Sequence, residues 1–429
     1  MKNIFLILFA SIVLFACGSE EEAADTFSAN SNLTFEIVDS VAVDYLGRLN
    51  LSDISPDKNH YLFYDGQRNN FVITNKAGEI TNEFSKSTDT PDAHGQISFN
   101  PAFFGNDKIV AVGRNGYFIY NFDGSIWKNF KETNINSNFF MSIIGSKTLH
   151  FAEINGEQVL LTKGPATFER EVDVEKALAD YKSITLVKPN EIKSLGGNTT
   201  SLEDASVEGT EAQLEVTKGF SYHIGLPQES IYRQMPDFTP FSATAFISID
   251  GDKIMVGYNK DMNVYTYEYA NGEFNLLSTL NLNPDLIYID KPDSEKENEI
   301  SMPGGGTIRM AGGAMGEGRI INSFLHGSQL ISVYYPGVKP EDRVMPEIQR
   351  GADGSIRVTA NSANEPKVKN RYQLFIDGVK MGSDFEAPEN LSGSGMQDGE
   401  YLWFARNTAD DEEESDFITY YKVKVANKS

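Results

Sequence analysis

Ser55-Pro56-Asp57-Lys58-Asn59, running directly into His60-Tyr61-Leu62-Phe63-Tyr64, sets the reading of the whole chain. It is a turn, then polar or charged residues, then an apolar strand. The same cadence returns five more times. Gly105-Asn106-Asp107-Lys108 precedes Ile109–Val112, and Gly145-Ser146-Lys147 precedes Thr148–Phe151. Asp250-Gly251-Asp252-Lys253 precedes Ile254–Tyr258, and His326-Gly327-Ser328 precedes Leu330–Tyr334. Gln397-Asp398-Gly399-Glu400 precedes Tyr401–Phe404.

In the first four copies a second turn follows at a near-constant distance, centred on Gly78, Gly124, Gly164 and Gly272. Glycine suits these positions because tight hairpin turns require positive φ. Each unit therefore holds about four antiparallel strands in roughly 40 to 50 residues, the size of one propeller blade. Six units predict an all-β fold: a six-bladed β-propeller of four-stranded antiparallel blades over residues 33–429. A β-sandwich would need only about seven to nine strands, far fewer than this chain offers. The N-terminal strand Thr34–Asp44 is expected to pair with the C-terminal run Ile418–Val425 and close the first blade, since closure removes open sheet edges.

The spacing breaks between the third and fourth copies, where about 105 residues stand in place of one unit. An insertion over about 171–219 is expected, with a short helix at Val172–Tyr181, a polar loop at Gly196–Gly209 and a strand-like run at Ala212–His223. Insertions in propellers map to loops on one face, often the binding face. Loops Lys193–Gly219 and Pro292–Gly318 are the expected contact surface.

Before the repeats lies an address. Met1-Lys2-Asn3 is followed by Ile4–Ala16, apolar except for Ser11 and too short to span a bilayer. The run ends in Leu14-Phe15-Ala16-Cys17, so residues 1–16 read as a signal peptide and Cys17 as the lipidated residue. Residues 17–32, opening Cys17-Gly18-Ser19-Glu20-Glu21-Glu22, read as an acidic flexible tether. Acylation of Cys17 would bury several chains at about 0.8 kcal/mol per CH₂ and make the anchor permanent.

Composition narrows the function. The 429 residues carry 37 basic and 61 acidic side chains, a net charge of -24, which argues against nucleic acid as a partner. A single cysteine excludes intrachain disulfides and Cys-rich metal sites, and the five histidines form no helical metal pair. No cofactor and no metal are expected.

The catalytic motifs also fail. Gly313 to Gly318 has the Walker glycine spacing, but Arg319 stands where Lys belongs and Ile320 where Ser or Thr would hold magnesium. The surrounding Gly304–Arg319 stretch reads as a packed inner strand or a channel-lining loop, with Arg309 and Arg319 as candidate contact cations. Asn121–Trp127 resembles the structural Asp-box of sialidases, one residue short. Asp250 and Asp252 lack the remaining ligands of a calcium loop and read as a hairpin turn. Asp410–Glu414 reads as a solvated loop. Tyr265, Tyr267 and Tyr269 alternate onto one strand face, expected to pack between blades. No catalytic residue can be assigned.

Ser55-Pro56-Asp57-Lys58 before an apolar strand resembles the opening of TolB-type propeller repeats. With the lipobox, the acidic tether and the strand around Val38-Asp39-Ser40-Val41, the chain resembles Bacteroidota surface lipoproteins of the six-bladed propeller type. Gly18–Glu22 looks like their acidic export signal. The resemblance implies a lipid-anchored protein of the outer membrane, displayed on the cell surface, with no catalytic residues to carry over. The expected function is a non-catalytic binding or scaffold module, accessory to an outer-membrane import or assembly complex. Its partner would be a barrel or transporter, or a glycan or peptide ligand. A surface hydrolase acting on glycans is the alternative, resting on fold analogy alone.

Overall fold

The computed structural model describes residues 27–86, 90, 92–97, 99–131, 147–164, 173–192, 219–236, 238–240, 242–289, 299–301, 307–309, 316–343, 347–350, 356–359, 368–407 and 417–428. Cys17, the loop Gly196–Gly209, most of the glycine-rich stretch and the acidic run Asp410–Glu414 lie outside them.

The described strands form six four-stranded antiparallel sheets and two two-stranded hairpins. Blade one is Asn50–Ile54, His60–Asp65, Asn70–Asn75 and Ile80–Ser85. Blade two is Ala102–Phe104, Lys108–Gly113, Gly116–Asn121 and Ile126–Phe130. Blade three is Leu149–Ile154, Glu157–Lys163, Ile184–Val187 and Phe220–His223. Blade four is Ala245–Asp250, Lys253–Tyr258, Asn263–Ala270 and Glu273–Asn281. Blade five is Arg319–His326, Gln329–Tyr335, Arg371–Ile376 and Val379–Glu386. Blade six is Leu391–Asp398, Tyr401–Arg406, Phe417–Asn427 and, from the other end of the chain, Leu33–Asp44. First strands of neighbouring blades touch around the ring, except that blade three meets blade four through its second strand, and blade six meets blade one.

The closure expected from the sequence is present. Leu33–Asp44 runs antiparallel to Phe417–Asn427, from Leu33 opposite Asn427 to Asp44 opposite Phe417. The strand completes blade six as its outermost member, not blade one. The chain ahead of it is docked too: Gly382 N of blade five donates to the Ser28 carbonyl, and Phe27 packs against the apolar cluster between blades five and six.

Strand alternation builds the core. Ile109 and Ala111 pack toward blade one, whereas Val110 and Val112 pack toward blade three. Every blade boundary among the described residues has its own apolar cluster. Inner strands need apolar residues on both faces, so they read as continuous hydrophobic runs. Outer strands face water and read as mixed, as in the largely exposed Glu273–Asn281. Tyr265 and Tyr267 are buried between blades three and four, with Tyr269 partly buried beside them, as the alternation predicts.

Two expectations need correction. Five repeat turns join the first and second strands of a blade, but the third copy runs into Leu149–Ile154, which stands first in its sheet. Gly164 is accordingly no hairpin turn. It follows the second strand, and its N–H donates to the Ser183 carbonyl at 2.8 Å. The tight turn of this blade is Asn155-Gly156, with φ of 53° and 78°. Gly164 is glycine because of crowding: a Cβ would lie 1.8 Å from the Lys182 carbonyl oxygen. Gly164→Ala is expected to cost about 1–3 kcal/mol through forced backbone displacement. Urea denaturation checks this, with Gly251→Ala as a control that has open space but positive φ.

The long central segment also supplies sheet. A helix spans Val174–Asp180, capped by Asp173, whose side chain accepts from Lys176 N. Ile184–Val187 then forms the third strand of blade three, buried throughout.

Antiparallel order sorts all connections onto two faces. Turns between first and second strands, and between third and fourth, lie at one end of the ring. They are tight, as at Asp250–Lys253, Asn271-Gly272 and Asp377-Gly378. Connections between second and third strands, and between blades, lie at the other end. That end carries the helix Val174–Asp180, the 3₁₀ turn Ile231–Gln234, the hairpin Glu299–Ser301/Thr307–Arg309 and the hairpin Glu347–Arg350/Ile356–Thr359. One long connection, 188–219, departs from the tight-turn face. The expected contact loops Lys193–Gly219 and Pro292–Gly318 therefore leave from opposite ends of the ring.

Candidate functional site

The tight-turn face is spent on holding the ring together. Asp57 N donates to Asn106 Oδ1 of the next blade at 3.1 Å. Gly327 N donates to Asp250 Oδ2 at 2.6 Å, so Asp250 ties blade four to blade five and sits in the expected hairpin turn. Buried Asp53 accepts from Phe103 N at 2.8 Å and pairs with Lys147, joining blades one, two and three. Ser248 Oγ donates to Gln397 Oε1 at 2.9 Å, and Gln397 Nε2 donates to the Leu325 carbonyl. Asn121–Trp127 is likewise a turn: Ser125 N donates to Asp123 Oδ1 at 2.9 Å and Gly124 has a φ of 79°.

Blade three holds an uncharged histidine. Burial, aided by Lys147 and Lys163, pushes His150 down to about 3. Its Nε2 lies 3.2 Å from the Lys147 carbonyl. The unfolded chain binds a proton here below about pH 6.5, and the folded chain does so only near 3. This contribution to stability is present above pH 6.5 and is lost as pH falls toward 3. The melting temperature should fall over that window, and less steeply in His150→Gln.

The other face carries the concave feature. At the long-connection end of blade five a cleft of about 390 Å³ is lined by Leu286, Tyr288, Pro336, Gly337, Val338, Lys339, Asp342, Val368, Lys369, Arg371 and Glu386. Three backbone segments knit its floor. Tyr288 N donates to the Pro336 carbonyl at 2.8 Å, Gly318 N to the Tyr288 carbonyl at 2.7 Å, and Val338 N to the Gly316 carbonyl at 2.6 Å. Glycine is required at the crossing: Gly337 has a φ of 83°, and its Cβ would lie 2.4 Å from Gly318 N. Arg343 Nε donates to the Val338 carbonyl at 3.0 Å and braces the wall.

Behind the cleft sits an acid–base network. Lys380 Nζ lies 2.7 Å from Asp285 Oδ1 and 2.6 Å from Asp384 Oδ1, and Tyr334 OH donates to Asp384 Oδ2. Burial raises the Asp285 carboxyl, but Lys380 and the Asp384 N–H outweigh it and hold it below the usual range.

No protein-family model matches the chain, and no curated protein matches it. Solved structures do. A member of the DUF4221 family from Bacteroides vulgatus superposes with a TM-score of 0.52 at 9% identity, covering 94% of this chain and 100% of that one. A Bacteroides fragilis protein inferred to be exported superposes with a TM-score of 0.50 at 12% identity, covering 94% of this chain and 99% of that one. What is shared is the fold.

The residues singled out in the sequence divide as follows. Cys17 lies outside the described residues. Arg319 opens the first strand of blade five, exposed at the long-connection end, with its guanidinium 5.0 Å from the Tyr335 ring centroid. Arg309 ends a two-stranded hairpin, opposite Glu299 in register. Gly316–Gly318, the described end of the glycine-rich stretch, is the packed crossing under the cleft. Tyr288, Lys339, Lys369 and Arg371 carried no sequence signal, because residues from 286 to 386 reach the cleft only through the folding of blade five.

Proposed function

We propose that this protein is a lipid-anchored propeller of the outer membrane, displayed on the cell surface, that works by binding and not by catalysis. Its contact surface is the long-connection face, and its partner an outer-membrane barrel or transporter complex to which it is an accessory subunit. The observation that carries the reading is where the chain enters the ring. Leu33 lies opposite Asn427, at the tight-turn end. An anchor at Cys17 would be joined to docked Phe27 by ten residues, a reach of at most roughly 35 Å. Such a tether would turn the tight-turn face, from which 188–219 also departs, toward the bilayer and the other long connections away from it. The exported inference for the Bacteroides fragilis neighbour agrees with an envelope location.

Binding is favoured over hydrolysis by how the buried carboxylates are used. Asp53, Asp384 and Asp398 are each held by cations and hydrogen bonds. Asp261 accepts from Tyr265 OH at 3.0 Å and Asn263 N at 3.0 Å.

The test is a C-terminal tag pull-down from gently solubilised outer membranes. Charge reversals at Arg319 and Asp342 on the long-connection face should abolish capture of a stoichiometric partner, and reversals at Lys76 and Lys253 on the tight-turn face should leave it intact. Capture that responds only to the tight-turn reversals, or recovery of the protein alone, contradicts the reading.

A further inference from the structure

We propose that the blade-five cleft binds a carboxylate borne on a small apolar body, the carboxylate against Arg371 and the body against Leu286, Tyr288 and Val368. The inference rests on the binding reading of this face and narrows it to a ligand chemistry.

The first support is local charge. The cleft is lined by three cations, Lys339, Lys369 and Arg371, against two carboxylates, Asp342 and Glu386, with Lys369 also paired to Glu389 at 3.1 Å. Across the whole chain acids outnumber bases 61 to 37, so the lining reverses the prevailing sign.

The second support is a guanidinium that makes no hydrogen bond to a carboxylate among the described residues. Arg371 is anchored at the start of a blade-five strand, where it opposes Glu386 in register. Its nearest carboxylate contact among the described residues is Glu386 at 3.8 Å, beyond hydrogen-bonding distance. A guanidinium offers five N–H donors in a fork that matches a carboxylate bidentately. Asp285 and Asp384 nearby take their hydrogen bonds from Lys380 and not from Arg371, whose charge reaches Asp285 through space.

The third support is shape. Leu286, Tyr288 and Val368 give the remaining lining an apolar character, with Leu286 37% exposed and the buried Pro336 and Val338 behind them. A bare anion would leave that surface wet. The volume of about 390 Å³ sits at the small end of the roughly 300–1,000 Å³ range of small-molecule sites. The knitted floor is formed before any ligand arrives, so binding orders little of the chain.

The same chemistry is offered by a free small acid and by the C-terminal residue of a peptide. Isothermal titration of the folded protein with N-acetyl-leucine, its neutral amide and the tripeptide Ala-Ala-Leu separates these sources. The acid should bind at least tenfold more tightly than the amide. Tighter binding of the tripeptide assigns the carboxylate to a peptide terminus; tighter binding of N-acetyl-leucine assigns it to a free acid.

Arg371→Met should weaken the acid at least tenfold and leave the amide unchanged. Lys369→Met should weaken the acid less, and added salt should weaken it in the parent protein. Equal affinity for acid and amide overturns the proposal. So does unchanged acid affinity in an Arg371→Met protein that melts like the parent, or no heat from any probe up to ~10 mM. Partner capture is scored separately on the same variants, so failure here is distinguishable from failure of the accessory-subunit reading.

Discussion

Phe35→Ala is expected to destabilise the protein by about 3–5 kcal/mol, among the largest effects of any single truncation. Phe35 comes from the strand that begins the ring and is 4% exposed. Its ring lies 4.8 Å from Tyr372, 5.1 Å from Phe385 and 5.3 Å from Phe404, centroid to centroid. Tyr372 and Phe385 belong to blade five and Phe404 to blade six, so one side chain from the N-terminal strand wedges two C-terminal blades together. Truncation removes the apolar transfer term and leaves a cavity that rigid sheets on both sides cannot fill. The urea midpoint should fall at constant m. Ile37→Ala on the same strand, 43% exposed, is the control and should move it little. Comparable shifts for both would mean that the strand is not clamped as described.

Asp398→Ala is expected to cost about 3 kcal/mol by leaving Lys422 and Trp403 Nε1 without their shared acceptor at the seam between blades six and one. Asp398 Oδ1 lies 2.9 Å from Lys58 Nζ of blade one, and Oδ2 lies 2.7 Å from Lys422 Nζ of blade six. Trp403 Nε1 also donates to Oδ2, at 3.3 Å. Burial raises this carboxyl, but Lys422 and Lys58 outweigh burial and hold it below the usual range. The contribution is therefore present above the unfolded carboxylate value near 3.9 and is lost as pH falls through the lower folded value. Denaturant melts of parent and variant should differ fully at about pH 6 and converge as pH falls through the lowered folded value. A difference that persists unchanged at low pH would assign the effect to packing instead.

Much of the ring was legible because its signals are local. A turn such as Gly105-Asn106-Asp107 needs particular residue types, and an inner strand such as Ile109–Val112 must be apolar on both faces. The closing pair was legible for the same reason: Thr34–Asp44 is a strand with no partner of its own near it in the chain. Blade three was not. Its third strand, Ile184–Val187, has only four residues and follows a helix, so the repeat cadence passes over it. Gly164 looked like a turn glycine, but its requirement is steric and comes from Lys182, which spacing does not reveal.

The cleft was illegible for a different reason. Arg371 and Tyr288 are 83 residues apart in the chain and become neighbours only when the connections around blade five fold against each other. The sorting of connections onto two faces is equally a property of the ring. It split the two loops marked as one contact surface, and it set the entry of the chain at Leu33 on the tight-turn side.

The arrangement on the membrane is open to one direct measurement. Cys17 is the sole cysteine, so in the lipidated protein an introduced cysteine is the single free thiol. Lys76→Cys marks the tight-turn face and Asp342→Cys the long-connection face, and both positions are exposed. Each is labelled with a donor dye, and energy transfer to an acceptor lipid is read on vesicles carrying the anchored protein. Transfer should be strong from position 76 and weak from position 342. Equal or reversed transfer, or failure of the protein to associate with vesicles, would contradict an anchored propeller that presents its long connections outward.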